Sequence, residues 1–136
     1  MAVASITSDN VSTALLKETL DTACMNTFID SDGDVGVKEQ CTCYVLPNKD
    51  QRRIRLLTVY RFTDKAREPE KMFCANKINS DYILVRASAS ERQLVFTYDL
   101  SLEGDGVTPR SLVMLIKRFC SIVPVAAIDY GQGILE

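Results

Sequence analysis

Three aspartates at alternate positions could hold a metal ion. Asp30, Asp32 and Asp34 resemble the opening of a calcium loop, because alternating carboxylates can converge on one hard cation. The pattern then fails, since Val35 stands where such a loop needs glycine and Cys41 where it needs a bidentate glutamate. Asp, Ser and Gly in this run also favour a turn. The sequence predicts a turn, with a calcium site as the alternative.

The cysteines offer thiols but few partners for them. Cys41 and Cys43 are two positions apart, so in a strand both side chains point to the same side. A zinc site needs about four ligands, and the chain has no histidine and no second close cysteine pair. The five cysteines are an odd number that falls mostly in apolar segments, which is typical of reduced, buried thiols. Core packing is therefore the prediction for Cys41 and Cys43, over a zinc site or a redox pair, and the five cysteines together predict a reducing cytoplasm; we expect no metal and no cofactor.

A run of arginines could bind an anion or an acidic partner. Arg53, Arg55 and Arg61 share one face of a predicted strand, and guanidinium groups bind phosphates and carboxylates through charge-assisted hydrogen bonds. The alternative is a solvated strand face that is balanced by acids on neighbouring strands, such as Glu39. Both interpretations fit the sequence.

Catalytic constellations are missing from the sequence. Because the chain has no histidine, Ser-His and Cys-His nucleophilic pairs are impossible. Carboxylates such as Asp99 and Glu103 are formally available for acid–base chemistry, but nothing in their surroundings indicates it. We therefore expect a protein that is not an enzyme.

Charge and hydropathy restrict the classes of partner. The net charge of the 136 residues is −2, whereas nucleic-acid and membrane-surface binding need a concentrated positive surface. No apolar run approaches the roughly 20 residues of a membrane span, and the start of the chain lacks the pattern of a signal peptide. We expect no nucleic-acid partner and no membrane association.

The elements that must position these residues follow from hydrophobic periodicity. The length fits one domain over residues 1–136. Helical patterns cover residues 7–26 and 65–79, and a third helix begins at Pro109 after the cap Thr108. Extended patterns begin at residue 28 and cover 35–45, 52–62, 82–89 and 93–100. The order α-β-β-β-α-β-β-α predicts an α+β fold, an antiparallel sheet with helices packed mainly on one face.

Several apolar residues have no place under these helices. Surplus apolar surface usually marks an interface. The residues are Leu57, Val59, Ile83 and Val95 on the strands, with Val113 and Met114 on the last helix. We predict a dimer or partner interface there, the alternative being that the first helix or the tail covers them.

One segment resembles a known family. The stretch CANKINSDYILVRASASERQLVFTYDL and the following GVTPRSLVMLIKRF combine a helix that ends in Asn, a hairpin and a capped amphipathic helix that closes with Phe. They resemble the YbjN family of bacterial sensory transduction regulators, which is similar in fold to the type III secretion chaperones. The similarity covers about residues 35–119 and carries no catalytic residues.

The resemblance implies a small cytoplasmic homodimer that binds another polypeptide or modulates a regulator. We therefore predict a non-enzymatic protein-binding module, chaperone-like or regulatory. The alternative is a small-ligand or anion sensor that uses the arginine-lined sheet face.

Overall fold

The computed structural model describes residues 5–136, which form three helices and one antiparallel sheet of six strands. The helices are α1 (Thr13–Thr22), α2 (Glu68–Asp81) and α3 (Pro109–Gly131). The strands are β1 (Thr27–Ile29), β2 (Val35–Lys38), β3 (Thr42–Asn48), β4 (Arg53–Arg61), β5 (Arg86–Ala89) and β6 (Gln93–Ser101). Their spatial order is β1-β2-β3-β4-β6-β5. The predicted α+β class is confirmed.

The sheet has one strand more than the sequence predicts. The segment 35–45 is a hairpin of β2 and β3, in which Val35 pairs with Val45 and Val37 with Cys43. Because this register pairs residues of the same parity, the alternating pattern continues across the turn as it would in one long strand. The reversal lies at Glu39, whose backbone N–H donates to the Cys41 carbonyl at 3.0 Å.

The core lies between one face of this sheet and the helices. Along β4 every second residue from Ile54 to Thr58 is buried, while their neighbours are half-buried or exposed. Helix α3 places Leu112, Ile116 and Phe119 on this face, α1 adds Leu16, and α2 contributes to the same core. The helices therefore pack on one face, as predicted.

Capping residues predicted the start of α3 correctly and the start of α1 wrongly. Thr108 caps α3 as predicted, because its Oγ1 accepts from the Ser111 N–H at 3.1 Å. The predicted start of α1 at residues 7–9 is wrong. The Asn10 side chain accepts from the Thr7 N–H at 2.8 Å and stabilises a turn there, and Ser12 caps the helix through the Leu15 N–H.

Helix α3 continues past Pro124 to Gly131. A proline removes only one hydrogen bond of the ladder, and the buried side chains of Val123, Ala126 and Ala127 hold the next turn on the core. By length and composition, α3 is the one helix within residues 5–136 that could cross a membrane, contrary to the expectation from sequence. Core helices of soluble proteins share these properties.

The end of α2 also differs from the sequence prediction. Asn79 does not cap the helix, which runs on to Asp81. Its side-chain amide instead donates to the Ala87 carbonyl at 2.9 Å and accepts from the Ala87 N–H at 2.7 Å. The following strand begins only at Arg86, because Leu84 has a positive φ of 75° that interrupts extended structure.

Candidate functional site

The second face of the sheet is covered by no helix of residues 5–136. We call it the open face. It comprises Phe28, Tyr44, Leu57, Val59, Val95 and Thr97 with the charged residues Arg53, Arg55, Arg86 and Asp99, all opposite in parity to the core residues of their strands. An apolar centre on an uncovered face is unusual for an antiparallel sheet, whose second face is normally polar.

An aromatic and apolar band crosses strands β1 to β4 on the open face. Phe28, Gly36, Tyr44 and Leu57 are successive partners in the register. The Phe28 ring lies over Gly36, where an added Cβ would stand 2.3 Å from Cζ of the ring. The Phe28 and Tyr44 rings meet edge to face at 5.8 Å, and Lys38 Nζ lies 5.6 Å from the Phe28 centroid. Gly36 is therefore required for this band to lie flat on the sheet.

The sequence prediction missed Phe28 and Tyr44. The signal that could have found them is Gly36, because a glycine inside a strand often marks the close approach of another group. The parity of Tyr44, opposite to that of its buried neighbours Cys43 and Val45, places it on the second face of the sheet.

Three of the predicted interface residues lie together on the open face. Val59 and Val95 are direct cross-strand partners, and Leu57 is two positions from Val59 on the same strand and side. Val59 is 40% exposed. They extend the aromatic band toward β6, so the apolar surface is continuous across the centre of the sheet.

Val113 and Met114 lie elsewhere. They line a groove of about 390 Å³ between α1 and the first turns of α3, together with Leu15 and Thr19. The helices occupy the core side of the sheet, so this groove and the open face are separate surfaces. Ile83 is exposed between α2 and β5. The predicted interface residues therefore lie on three separate surfaces, namely the open face, the groove between α1 and α3, and the connection between α2 and β5.

The arginines of the open face share one carboxylate. Arg55 and Asp99 are direct cross-strand partners, and the guanidinium donates from Nε to Oδ1 at 2.7 Å and from Nη2 to Oδ2 at 3.0 Å. Arg53 Nη1 lies 3.6 Å from the same carboxylate. The hydrogen bonds from Arg55 lower the pKa of Asp99, which keeps Asp99 ionised at neutral pH. The balancing acid is therefore Asp99, whereas Glu39 lies in the β2–β3 turn.

The predicted arginine stripe is divided along β4. Arg61 is eight residues from Arg53, or roughly 26 Å along a strand, and it pairs with Glu136 at 3.9 Å. Arg86, at the start of β5, also lowers the pKa of Asp99. Arg53, Arg55 and Arg86 thus face one acid, and this corner of the open face is net positive. Arg53 Nε is buried with no hydrogen-bond partner within residues 5–136.

The cysteines carry no disulfide; all five are free. Contact with the Cys120 thiol, followed by burial, raises the pKa of Cys41. Cys43 and Cys120 are buried. A thiol whose pKa is raised is protonated at neutral pH and is a poor nucleophile. The environment of Cys41 fits the core-packing prediction.

The aspartates at residues 30–34 form the predicted turn. Oδ1 of Asp30 accepts from the N–H of Asp32 at 3.0 Å and of Asp34 at 2.9 Å. The three carboxylates lie within 4.8 Å of one another. These hydrogen bonds are those of an ordinary Asx turn and account for the arrangement.

Comparison with known proteins assigns the family. The sequence model of the YbjN family, described as "Putative bacterial sensory transduction regulator", matches residues 12–123. The chain belongs to the YbjN family. Its structure is similar to the crystal structure of YbjN from E. coli, described as "a putative transcription regulator", with a TM-score of 0.75 and 15% sequence identity. The match covers 93% of this chain and 96% of the E. coli chain. No curated protein sequence matches the chain.

The YbjN assignment extends the similarity beyond the segment from which the sequence suggested it. The family model includes α1 as well as the sheet and most of α3. At 15% identity the structural neighbour shows the fold. The residues on the open face of this YbjN-family protein are therefore its own and do not follow from the E. coli structure.

Proposed function

We propose that this YbjN-family protein is a non-enzymatic regulator that binds another polypeptide through the open face. The observation that carries the proposal is the continuous apolar surface at Leu57, Val59 and Val95, which no described element covers. Contiguous exposed apolar surface on a soluble domain marks interaction sites. The role is regulatory or chaperone-like, and the free cysteines support a cytoplasmic setting.

The shape of the open face favours a polypeptide over a small molecule. Six strands at about 4.8 Å spacing give a width of roughly 24 Å. Specific protein interfaces bury about 800 Å² on each partner, whereas small molecules bind in concave pockets. Aromatic side chains such as Tyr44 and Phe28 are also the residues enriched in protein interfaces.

The charges of the open face indicate the chemistry of the partner. The corner formed by Arg53, Arg55, Arg86 and Asp99 is net positive and borders the apolar centre. Complementary charges at a rim increase the association rate and the specificity of binding. We therefore expect a partner segment with apolar anchors and neighbouring acidic residues.

A small-anion sensor is the second candidate function. One observation favours it, namely that Arg53 Nε is a buried donor without a partner in the described structure. Titration with inorganic phosphate distinguishes the two candidates, because the polypeptide proposal expects no saturable phosphate binding.

We expect Val59→Glu to weaken binding of the polypeptide partner at least tenfold, which corresponds to about 1.4 kcal/mol. Val59 is 40% exposed, so a glutamate there places a charge in the apolar centre of the interface with little effect on the fold. The measurement is quantitative mass spectrometry of proteins captured from an extract of the native cell by immobilised wild type and variant.

Met72→Glu is the matched control, because Met72 is 52% exposed but lies on α2. The proposal requires at least one protein that wild type and Met72→Glu retain and Val59→Glu loses, and whose binding is reproduced with the two purified proteins. Identical retention by all three would contradict the assignment of the open face.

A further inference from the structure

The two edges of the sheet differ in whether they can accept another strand. The outer strands are β5 and β1. On β5, the outward N–H and C=O of Ala87 are both occupied by the Asn79 side chain, at 2.7 and 2.9 Å. An asparagine amide in this position replaces the backbone of a neighbouring strand. Because Ala89 is the one outward-facing residue of β5 whose backbone groups have no partner within residues 5–136, the β5 edge offers little to an added strand.

The β1 edge is open with respect to residues 5–136. The Lys38 N–H donates to the Asn26 carbonyl at 2.9 Å, and the Asp30 N–H donates to the Asp34 carbonyl at 3.0 Å. Because hydrogen-bonded pairs alternate in an antiparallel ladder, Phe28 forms the bonded pair with Gly36 between them. The backbone N–H and C=O groups of Thr27 and Ile29 therefore point away from the sheet. No group of residues 5–136 bonds to them.

We propose that β1 pairs antiparallel with β1 of a second copy of this chain, about a two-fold axis at Phe28. This register places Thr27 opposite Ile29 of the partner subunit and Ile29 opposite Thr27 of the partner subunit. All outward N–H and C=O groups of both strands are then satisfied by four hydrogen bonds. Asn26 stands opposite Asp30 of the partner subunit, so no like charges face each other.

A second copy is the occupant that this edge fits best. Because Asn79 occupies Ala87 on the β5 edge, adding β1 to β5 of another molecule, which would give an open filament, would leave backbone groups of β1 without partners. The remaining pairing is isologous and closes at two chains. A lone extended peptide would gain the same few hydrogen bonds from a three-residue strand. A second copy also covers Ile29, which is 46% exposed, and brings together the α1 helices that pack beside β1.

The dimer would be a continuous twelve-stranded sheet. The two Phe28 side chains would stand opposite each other on the same face, with Cβ atoms about 5 Å apart. The open faces of the two subunits would then form one surface. The pairing itself is independent of what that surface binds, so it can be tested on the isolated protein.

The test compares wild type with Ile29→Pro and Ile29→Thr by sedimentation velocity. Proline at residue 29 removes an N–H that has no internal partner, which an edge strand tolerates, whereas threonine keeps it. We expect a dimer for wild type and Ile29→Thr and a twofold lower mass for Ile29→Pro. A wild type that is monomeric at every concentration, or a dimer that persists in Ile29→Pro, would overturn the proposal.

If Ile29→Pro does not fold, amide hydrogen exchange on the wild type tests the β1–β1 pairing instead. We expect the N–H groups of Thr27 and Ile29 to be protected in the dimer and to lose protection on dilution. The Phe28 N–H, which pairs inside the chain, stays protected at all concentrations. Free exchange of Thr27 and Ile29 in a dimeric sample would show that the dimer forms elsewhere.

Discussion

Replacing Phe96 by alanine will lower the free energy of unfolding by about 3–5 kcal/mol, the usual cost of removing a buried phenylalanine. Phe96 is fully buried at the centre of β6, and its ring meets Tyr60 edge to face at 5.7 Å. Alanine would leave a cavity between the sheet and the helices. Urea denaturation followed by circular dichroism measures the loss.

Val95→Ala is the control, one residue away on the opposite face. Its side chain is only half-buried on the open face, so we expect a loss within about 1 kcal/mol. The contrast tests whether the fold depends on one face of the sheet alone. Equal losses for Phe96→Ala and Val95→Ala would mean that the open face also stabilises the domain, and its apolar residues would need no partner to explain them.

Gly106→Ala is the second substitution with a large expected effect. Gly106 has a φ of +77°, and an added Cβ would stand 2.0 Å from the Ile6 carbonyl oxygen. The Ile6–Val107 bridge, with N···O distances of 2.8 and 2.9 Å, would have to open. Left-handed strain of about 1–2 kcal/mol adds to the exposure of Ile6, whose full burial contributes about 1.5–3 kcal/mol. We expect a total loss of about 2.5–5 kcal/mol.

Gly104→Ala separates strain from the clash. Gly104 lies in the same loop with a φ of +70°, but an added Cβ meets nothing within 4 Å. Only the strain remains, so we expect a loss of about 1–2 kcal/mol. Similar losses for the two glycines in thermal or urea unfolding would contradict the close packing of Ile6 against Gly106.

The parts of the fold that sequence predicted are those whose signals are local. Thr108 and Pro109 define the start of α3 within two residues, and the strongly alternating segment after the turn at residues 90–92 is β6. The alternation of apolar residues along β4 likewise predicted which of its side chains are buried. These elements were sufficient for the α+β class and for placing the helices on one face.

The parts that sequence missed depend on register. The hairpin of β2 and β3 preserves parity across its turn, so its pattern equals that of one strand. Asn79 is suited to a helix cap in sequence, and only the packing of α2 against β5 makes it the partner of Ala87. The Arg55–Asp99 pair joins residues 44 positions apart and requires the register of β4 with β6.

The candidate site was predicted only in part, because some of its residues are brought together by register and packing. Leu57, Val59 and Val95 could be assigned to the second face from parity alone. Val113 and Met114 were surplus on their helix, but the sequence could not show that they line a different groove. Phe28 joins the face only because Gly36 leaves room for its ring.

The most direct test of the open face as the polypeptide-binding surface is site-specific photocrosslinking. A benzophenone side chain is placed at residue 59 in one variant and at residue 72 in another, and each is irradiated in extract of the native cell. We predict that position 59 captures a polypeptide in addition to any second copy of the chain, and that position 72 does not. Capture of the same polypeptide from position 72 alone, with none from position 59, would contradict this account.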